Sequence, residues 1–383
     1  MKSDGVGASK ARTGEWAARW ADFKYTLYLL RRNPLVLVGS LLALVFIMLS
    51  LLASYIVDPS LARPAGYPEF GGNYPFPRSY MWSKGHFINW GPGVQLYEGP
   101  EFFLLGTDGW GRDLFKMIIL AIPVDMESAV IITLTAAIFG TLLGTLAGYV
   151  GGVIDEAMLR VTDIFFAFPG LVLALVLVAI LPVGARFLFF TLDRMTILRF
   201  AIVLVWWPPY VRLMRGQILI EKEKSYVEAL RALGAGYSRT LLVIQERYNF
   251  ILNKIVALGA GRLRFLLIFQ RVIAAVVDQL VLLGMHLRIL FRHILPNSIY
   301  PILVQATLDF GGVILTFSAL MFLGFSPSPS LPELGNLASD GYSHVFDAPW
   351  LIVFPGLVML IIALAFNLVG DGLRDVLDPK LRR

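Results

Sequence analysis

The stretch from Leu35 to Val57 runs for 23 residues without a charged side chain. A helix rises 1.5 Å per residue, so about 20 apolar residues cross a hydrocarbon core roughly 30 Å thick. Backbone amides have no water to bind in that core, which leaves a helix as the only conformation open to such a run in a single strand of chain. Five more stretches meet or approach the same length, giving expected spans at 35–57, 128–151, 164–182, 197–211, 299–325 and 349–370. Hydrophobic residues make up 57% of the chain and charged residues 16%, far from the balance of a soluble domain. The expectation is an all-α membrane protein with six transmembrane helices. Arg31 and Arg32 precede the first run as in a secretory signal, but the run is too long for one and no small-residue cleavage site follows closely. It reads as an uncleaved helix.

The net charge of +6 does not point to nucleic acid, because its distribution follows the membrane. With the N-terminus in the cytosol, 25 of the 33 Lys and Arg residues fall on the cytosolic side, in 1–34, 152–163, 212–292 and the tail after Gly370. The positive-inside bias therefore places both termini in the cytosol. The chain has no cysteine, which removes disulfides and thiolate metal sites.

Several segments between the spans carry their own signals. Trp16, Trp20, Phe23 and Leu27 recur at helical spacing with Arg19 and Lys24 between them. That pattern suits a helix lying on the inner leaflet or a plain lead-in to the first span. Residues 58–103 are rich in Pro, Gly and aromatics, the composition of an irregular ordered loop, with docking of a partner as the other reading. Gly140, Gly144 and Gly148 form a groove at four-residue spacing that favours helix packing within one subunit. Pro169 and Gly170 are expected to kink the third span. In the longest polar stretch, residues 233–257 match 258–282 at 9 of 25 positions without a gap, which marks a tandem duplication. Each copy carries four charged residues in its hydrophobic pattern, so the copies read as amphipathic helices at the cytosolic surface, with an inserted hairpin as the alternative.

Enzyme chemistry finds no support. No phosphate-binding Gly-rich loop ends in Lys-Ser or Lys-Thr, and the four histidines, His86, His286, His293 and His344, show no metal-ligand spacing. "GTDGWGRD" at 106–113 has turn glycines without the strand-then-helix context of a dinucleotide fold. What remains is "SYVEALRALGAG" from Ser225: Val227, Leu230, Arg231 and Gly234 share a helical stripe, while Ala229 and Ala232 give a small-residue face. Gly234 or Gly236 can end that helix. By periodicity it is either a compact docking knob or a solvated connector. One acid, Asp309, lies deep in a span, thirteenth from Asn297, and either meets solute in an aqueous pathway or bonds to a neighbouring helix.

"EALRALG" followed by "RHILPN" resembles the EAA loop of permease subunits of ABC importers. "LRRNPLVLVGSLLAL", "LLGTDGWGRD", "GYVGGVIDEAMLRVTDIFFAFPGLVLALVLVAIL", "WPPYVRLMRGQIL", "RHILPNSIYPILVQATLDFGGVIL" and "NLVGDGLRDVLDPKLRR" extend the likeness, in order, to the second permease of dipeptide and oligopeptide importers. The resemblance implies a type I ABC importer permease fold in the cell membrane of a prokaryote. It implies an ATPase-coupling helix to which Glu228, Ala229 and Gly234 belong, with Tyr226 and Leu233 beside them, Ala232 among the coupling residues, and Pro296 closing the loop before the fifth span. The expected organisation is a cytosolic amphipathic segment at 1–34, the first helix at 35–57, an extracytosolic region at 58–127 and a transmembrane core at 128–383, with a duplicated insertion at about 237–286.

The implied partners are a related permease, two ATPase subunits, an extracytosolic binding protein and membrane lipid; no cofactor is held by this subunit, ATP being used by the partners. The chain departs from the family at Leu230, where a second Ala is usual, at Phe317, where relatives commonly have Glu, and in a longer 58–103 loop. Gly234 also lies 62 residues before Pro296, where about a dozen are needed, and removing the repeats nearly restores the spacing. An ion-coupled secondary carrier is the rival class, and it would need coupling acids or inverted repeats near mid-membrane. Nickel chelates, glutathione and oligosaccharides are alternative cargoes within the importer class.

Overall fold

The computed structural model describes residues 33–59, 84–87, 97–102, 104–106, 108, 112–184, 186–187, 190–232, 290–346 and 348–377. The amphipathic segment before Asn33 and both sequence repeats lie outside the described residues.

Helix α1 spans Pro34–Ile56, with proline in its first turn and the Asn33 side chain accepting from the Leu35 amide at 3.1 Å. Proline fits there because the first amides of a helix have no internal partner to lose. Short antiparallel strands β1 (Lys84–Phe87) and β2 (Tyr97–Phe102) follow, in a segment expected to be irregular. Helix α2 then runs Leu114–Val150, starting well before the expected 128. Asp113 caps it, its Oδ1 accepting from the Phe115 amide at 2.9 Å. Lys116, Pro123, Asp125 and Glu127 interrupt the apolar pattern in its first turns, which is why hydropathy placed the start later.

The expected loop at 152–163 is instead helical, α3 covering Gly152–Phe166. Pro169 produces a full break where a kink was expected: α4 starts at Gly170, ends at Ile180, and is bent 89° from α3. After the two-residue strands β3 (Arg186–Phe187) and β4 (Phe190–Thr191), helix α5 extends over Arg194–Lys222 and accommodates Pro208 and Pro209 in its interior. Helix α6 covers Ser225–Ala232. A π-helical turn, Leu290–Ile294, leads into α7 (Leu295–Ser298), α8 (Tyr300–Leu320), α9 (Leu334–Asp340) and α10 (Trp350–Leu377). Among the described residues, five helices are long and apolar enough to cross a membrane, or six when α3 and α4 count as one bent span.

The chain divides into two compact units. In the first, formed by 1–138, 165–207 and 303–383, α1 and α8 both pack on α10 through glycines. A Cβ on Gly39 would lie 2.5 Å from that of Leu368, and one on Gly311 would lie 2.8 Å from the Cα of Ala363. In the second, 139–164 and 208–302, the glycine groove of α2 serves the packing expected of it: a Cβ on Gly144 would lie 2.5 Å from the Val211 carbonyl oxygen, and one on Gly148 2.9 Å from that of Arg215. In lipid, where burying apolar surface gives no net drive, such close backbone approach is a main source of helix association.

Candidate functional site

The second unit contains the segment singled out in the sequence. Two ion pairs hold α5 to α3: Arg215 grips Asp155 with two nitrogens, one to Oδ2 at 2.6 Å, and Arg212 pairs with Asp163 while its Nε donates to Thr162 Oγ1 at 3.2 Å. A two-pronged guanidinium contact fixes orientation as well as distance. Two turns further, Lys222 Nζ donates to the Gly148 carbonyl at 3.1 Å. The end of α5 is thereby set before the chain turns into α6.

Glu221 organises that turn. Its side chain is 7% exposed, and it accepts from Tyr226 Oη at 2.6 Å and pairs with Lys224 Nζ at 2.5 Å. Asn297 Nδ2 donates to the Tyr226 hydroxyl at 3.3 Å, and Asn297 also bonds to Glu221. Burial, followed by the Glu221 carboxylate, pushes the Tyr226 phenol up from its ordinary value, so it stays a neutral donor. Val227 is wholly buried, whereas Glu228 and Ala229 face outward. Among the described side chains of α6, Val227 is thus the buried anchor, with Glu228 and Ala229 on the outer side.

Tyr226 and Asn297 are 71 positions apart in sequence, yet they touch. Pro296, in the first turn of α7, is exposed beside Asn297. The segments on either side of the duplication therefore meet. Of the expected coupling residues, Tyr226, Glu228, Ala229 and Pro296 are placed in this unit; Ala232 closes α6, and Leu233 and Gly234 lie outside the described residues. Asp309 belongs to the first unit, where it is half-buried on α8 and accepts from Gln305 Nε2 at 2.8 Å, one turn back on its own helix. Among the described residues no group of three or more His, Asp or Glu could hold a metal ion.

Glu221 and Asn297 were missed in the sequence. The run Glu221-Lys222-Glu223-Lys224 has the alternating charge of a solvated face, and only the folded turn separates the buried glutamate from its exposed neighbours. Asn297 stood within "RHILPN" without chemistry of its own to mark it.

Comparison with known proteins adds an independent line. Residues 140–245 and 267–383 match the family described as binding-protein-dependent transport system inner membrane component, with the unmatched 246–266 falling inside the sequence repeat. A dipeptide transport system permease protein of Haemophilus influenzae is 33% identical over 362 residues, covering 92% of this chain and 93% of the relative. A glutathione transport system permease protein of Pectobacterium atrosepticum is 32% identical over 289 residues, covering 75% and 76%. A di/tripeptide transport system permease protein of Pseudomonas aeruginosa is 35% identical over 295 residues, covering 76% and 77%.

Proposed function

Because the chain belongs to the family of binding-protein-dependent transport system inner membrane components, we propose that it forms half of the translocation pore of an ATP-driven importer of dipeptides or oligopeptides. It is a multi-pass inner-membrane ABC permease subunit and not an enzyme. The other half of the pore is a related permease. Two ATPase subunits burn ATP, and an extracytosolic binding protein delivers the peptide. Both chain termini lie in the cytosol, in keeping with the concentration of Lys and Arg outside the apolar spans.

In this reading α6 belongs to the coupling element, whose working residues are Tyr226, Glu228, Ala229, Ala232, Leu233, Gly234 and Pro296. The supporting observation is the Glu221–Tyr226–Asn297 bond set, which joins the two ends of the coupling element across 71 positions. Closure between nucleotide-bound ATPases would move α6, and the Arg215–Asp155 grip would carry that displacement into α3 and α5. Asp309 lines the solute pathway in this scheme, where a carboxylate can receive a peptide's free amine.

Uptake of a radiolabelled dipeptide into vesicles carrying the whole assembly tests the proposal. Import is expected to require ATP, the ATPase subunits and the binding protein. Import driven by an ion gradient without the ATPases would replace the reading with the secondary carrier. ATP-driven import of glutathione in place of simple dipeptides would keep the mechanism and change the cargo, as the Pectobacterium relative suggests.

A further inference from the structure

Two acids in the first unit take no part in the coupling element. Asp125 on α2 and Glu333, the residue that caps α9, are both wholly buried, and their carboxyls bond directly to each other. Asp125 Oδ1 accepts from Ser318 Oγ of α8 at 3.2 Å, and Oδ2 accepts from the Leu334 amide at 3.1 Å. Glu333 accepts from the Gly335 and Asn336 amides at 3.0 and 2.7 Å. The pair thus sits where α2, α8 and the start of α9 converge. The contact is tight: a Cβ on Gly335 would lie 1.9 Å from the Ser318 carbonyl oxygen, so α9 rests on the α8 backbone with no side chain between.

Among the described residues, the groups that bind the pair are a hydroxyl and backbone amides, none of which carries charge. Charged groups on the surrounding elements have partners of their own among the described residues. Glu127 of α2 pairs with Arg199 of α5 at 3.1 Å. Arg112, ahead of α2, pairs with Asp108 at 2.6 Å and donates to the Ser330 carbonyl at 2.9 Å. Asp340 ends α9 and acts on Asp108. Two carboxylates in contact, with no counter-ion against them among the described residues, cannot both ionise at modest cost, so they hold one proton between them.

We infer that Asp125 and Glu333 are positioning residues that share one proton, that this proton latches α9 onto α2 and α8, and that losing it lets α9 lift away. Burial pushes the Glu333 carboxyl up from its ordinary value, against the pull of its hydrogen bonds. A group whose folded value is raised contributes stability that is complete below its unfolded value and lost as pH rises through the folded one. The latch is therefore closed on the acid side and opens on the alkaline side. It belongs to the chain itself and does not depend on which solute is carried.

The chain lacks cysteine, so a single introduced thiol reports on α9 alone. Ala338→Cys places it on the buried face of that helix, and Tyr342→Cys places a reference on a residue that is 70% exposed. Maleimide labelling is followed from pH 6 to 10 with the full-length chain in membranes of the expressing cells. The ratio of the labelling rate in Ala338→Cys to that in Tyr342→Cys is expected to be low at the acid end, to rise about tenfold per pH unit toward the release point, and to level off above it, as loss of one proton requires. Asp125→Asn retains a neutral partner that can donate to Glu333, and it is expected to abolish the rise; Glu333→Gln is the second such variant, and Leu337→Cys a second reporter. A flat ratio in the unmodified background, or an equal rise with Asp125→Asn, would overturn the inference. Neither ATPase nor solute enters the measurement, so its failure leaves the transport assignment standing, and the reverse holds too.

Discussion

Tyr226 ties the turn before α6 to Asn297, and its hydroxyl makes both bonds. Tyr226→Phe keeps the ring and removes the bonds to Glu221 and Asn297, which we expect to cost about 1 kcal/mol and to leave Glu221 short of a donor. The expected result is lower peptide uptake per ATP hydrolysed with insertion unchanged; equal coupling in both proteins would reduce the hydroxyl to a packing detail. At Asp309 the acceptor role toward Gln305 survives in Asp309→Asn while the charge does not. If this carboxylate meets the peptide amine, uptake falls with KM raised; unaltered uptake would leave it a structural bond. In the sequence, Tyr226 and Glu228 were singled out by the likeness to the EAA loop, and Asp309 by its depth in an apolar span. The sequence hid Asp125 and Glu333, since one fell before the apolar run and the other in a Pro-Ser loop, and only folding brings them into contact.

Among the elements, the long apolar helices were legible because no other structure satisfies so many amides in lipid. Their ends were not, because helices continue through polar residues once side chains such as Asp125 find partners. The break at Pro169 shows the same limit: proline marks a disturbance, while its size depends on what each half packs against. Packing also sets the cost of enlarging the groove of α2. Gly144→Leu must displace the Val211 backbone, and a loss of about 1–3 kcal/mol is expected, read as a lower melting temperature in detergent and reduced expression. For the proposed coupling segment, reversing the charge with Glu228→Lys, or introducing proline with Gly234→Pro, is expected to abolish uptake and ATPase stimulation without loss of the protein from the membrane. Normal stimulation in both variants would show that this segment is not where the ATPase docks.

On the scale of the whole molecule, Tyr226 and Asn297, which flank the duplication, meet each other. Excising 237–286 is expected to retain ATP-dependent uptake, measured in the same vesicles; complete loss would make the duplication part of the coupling path. The attachment of α1 has a different consequence. It meets α10 through paired small contacts, Gly39 beneath Leu368 and Gly372 beneath Val36, while residues such as Leu35, Leu41 and Tyr55 stay exposed. A helix held this way carries its own address. Severed between Asp58 and Lys84 and produced from two genes, the fragments should find each other in the bilayer and restore growth on a peptide nitrogen source, with Gly39→Leu preventing the reunion.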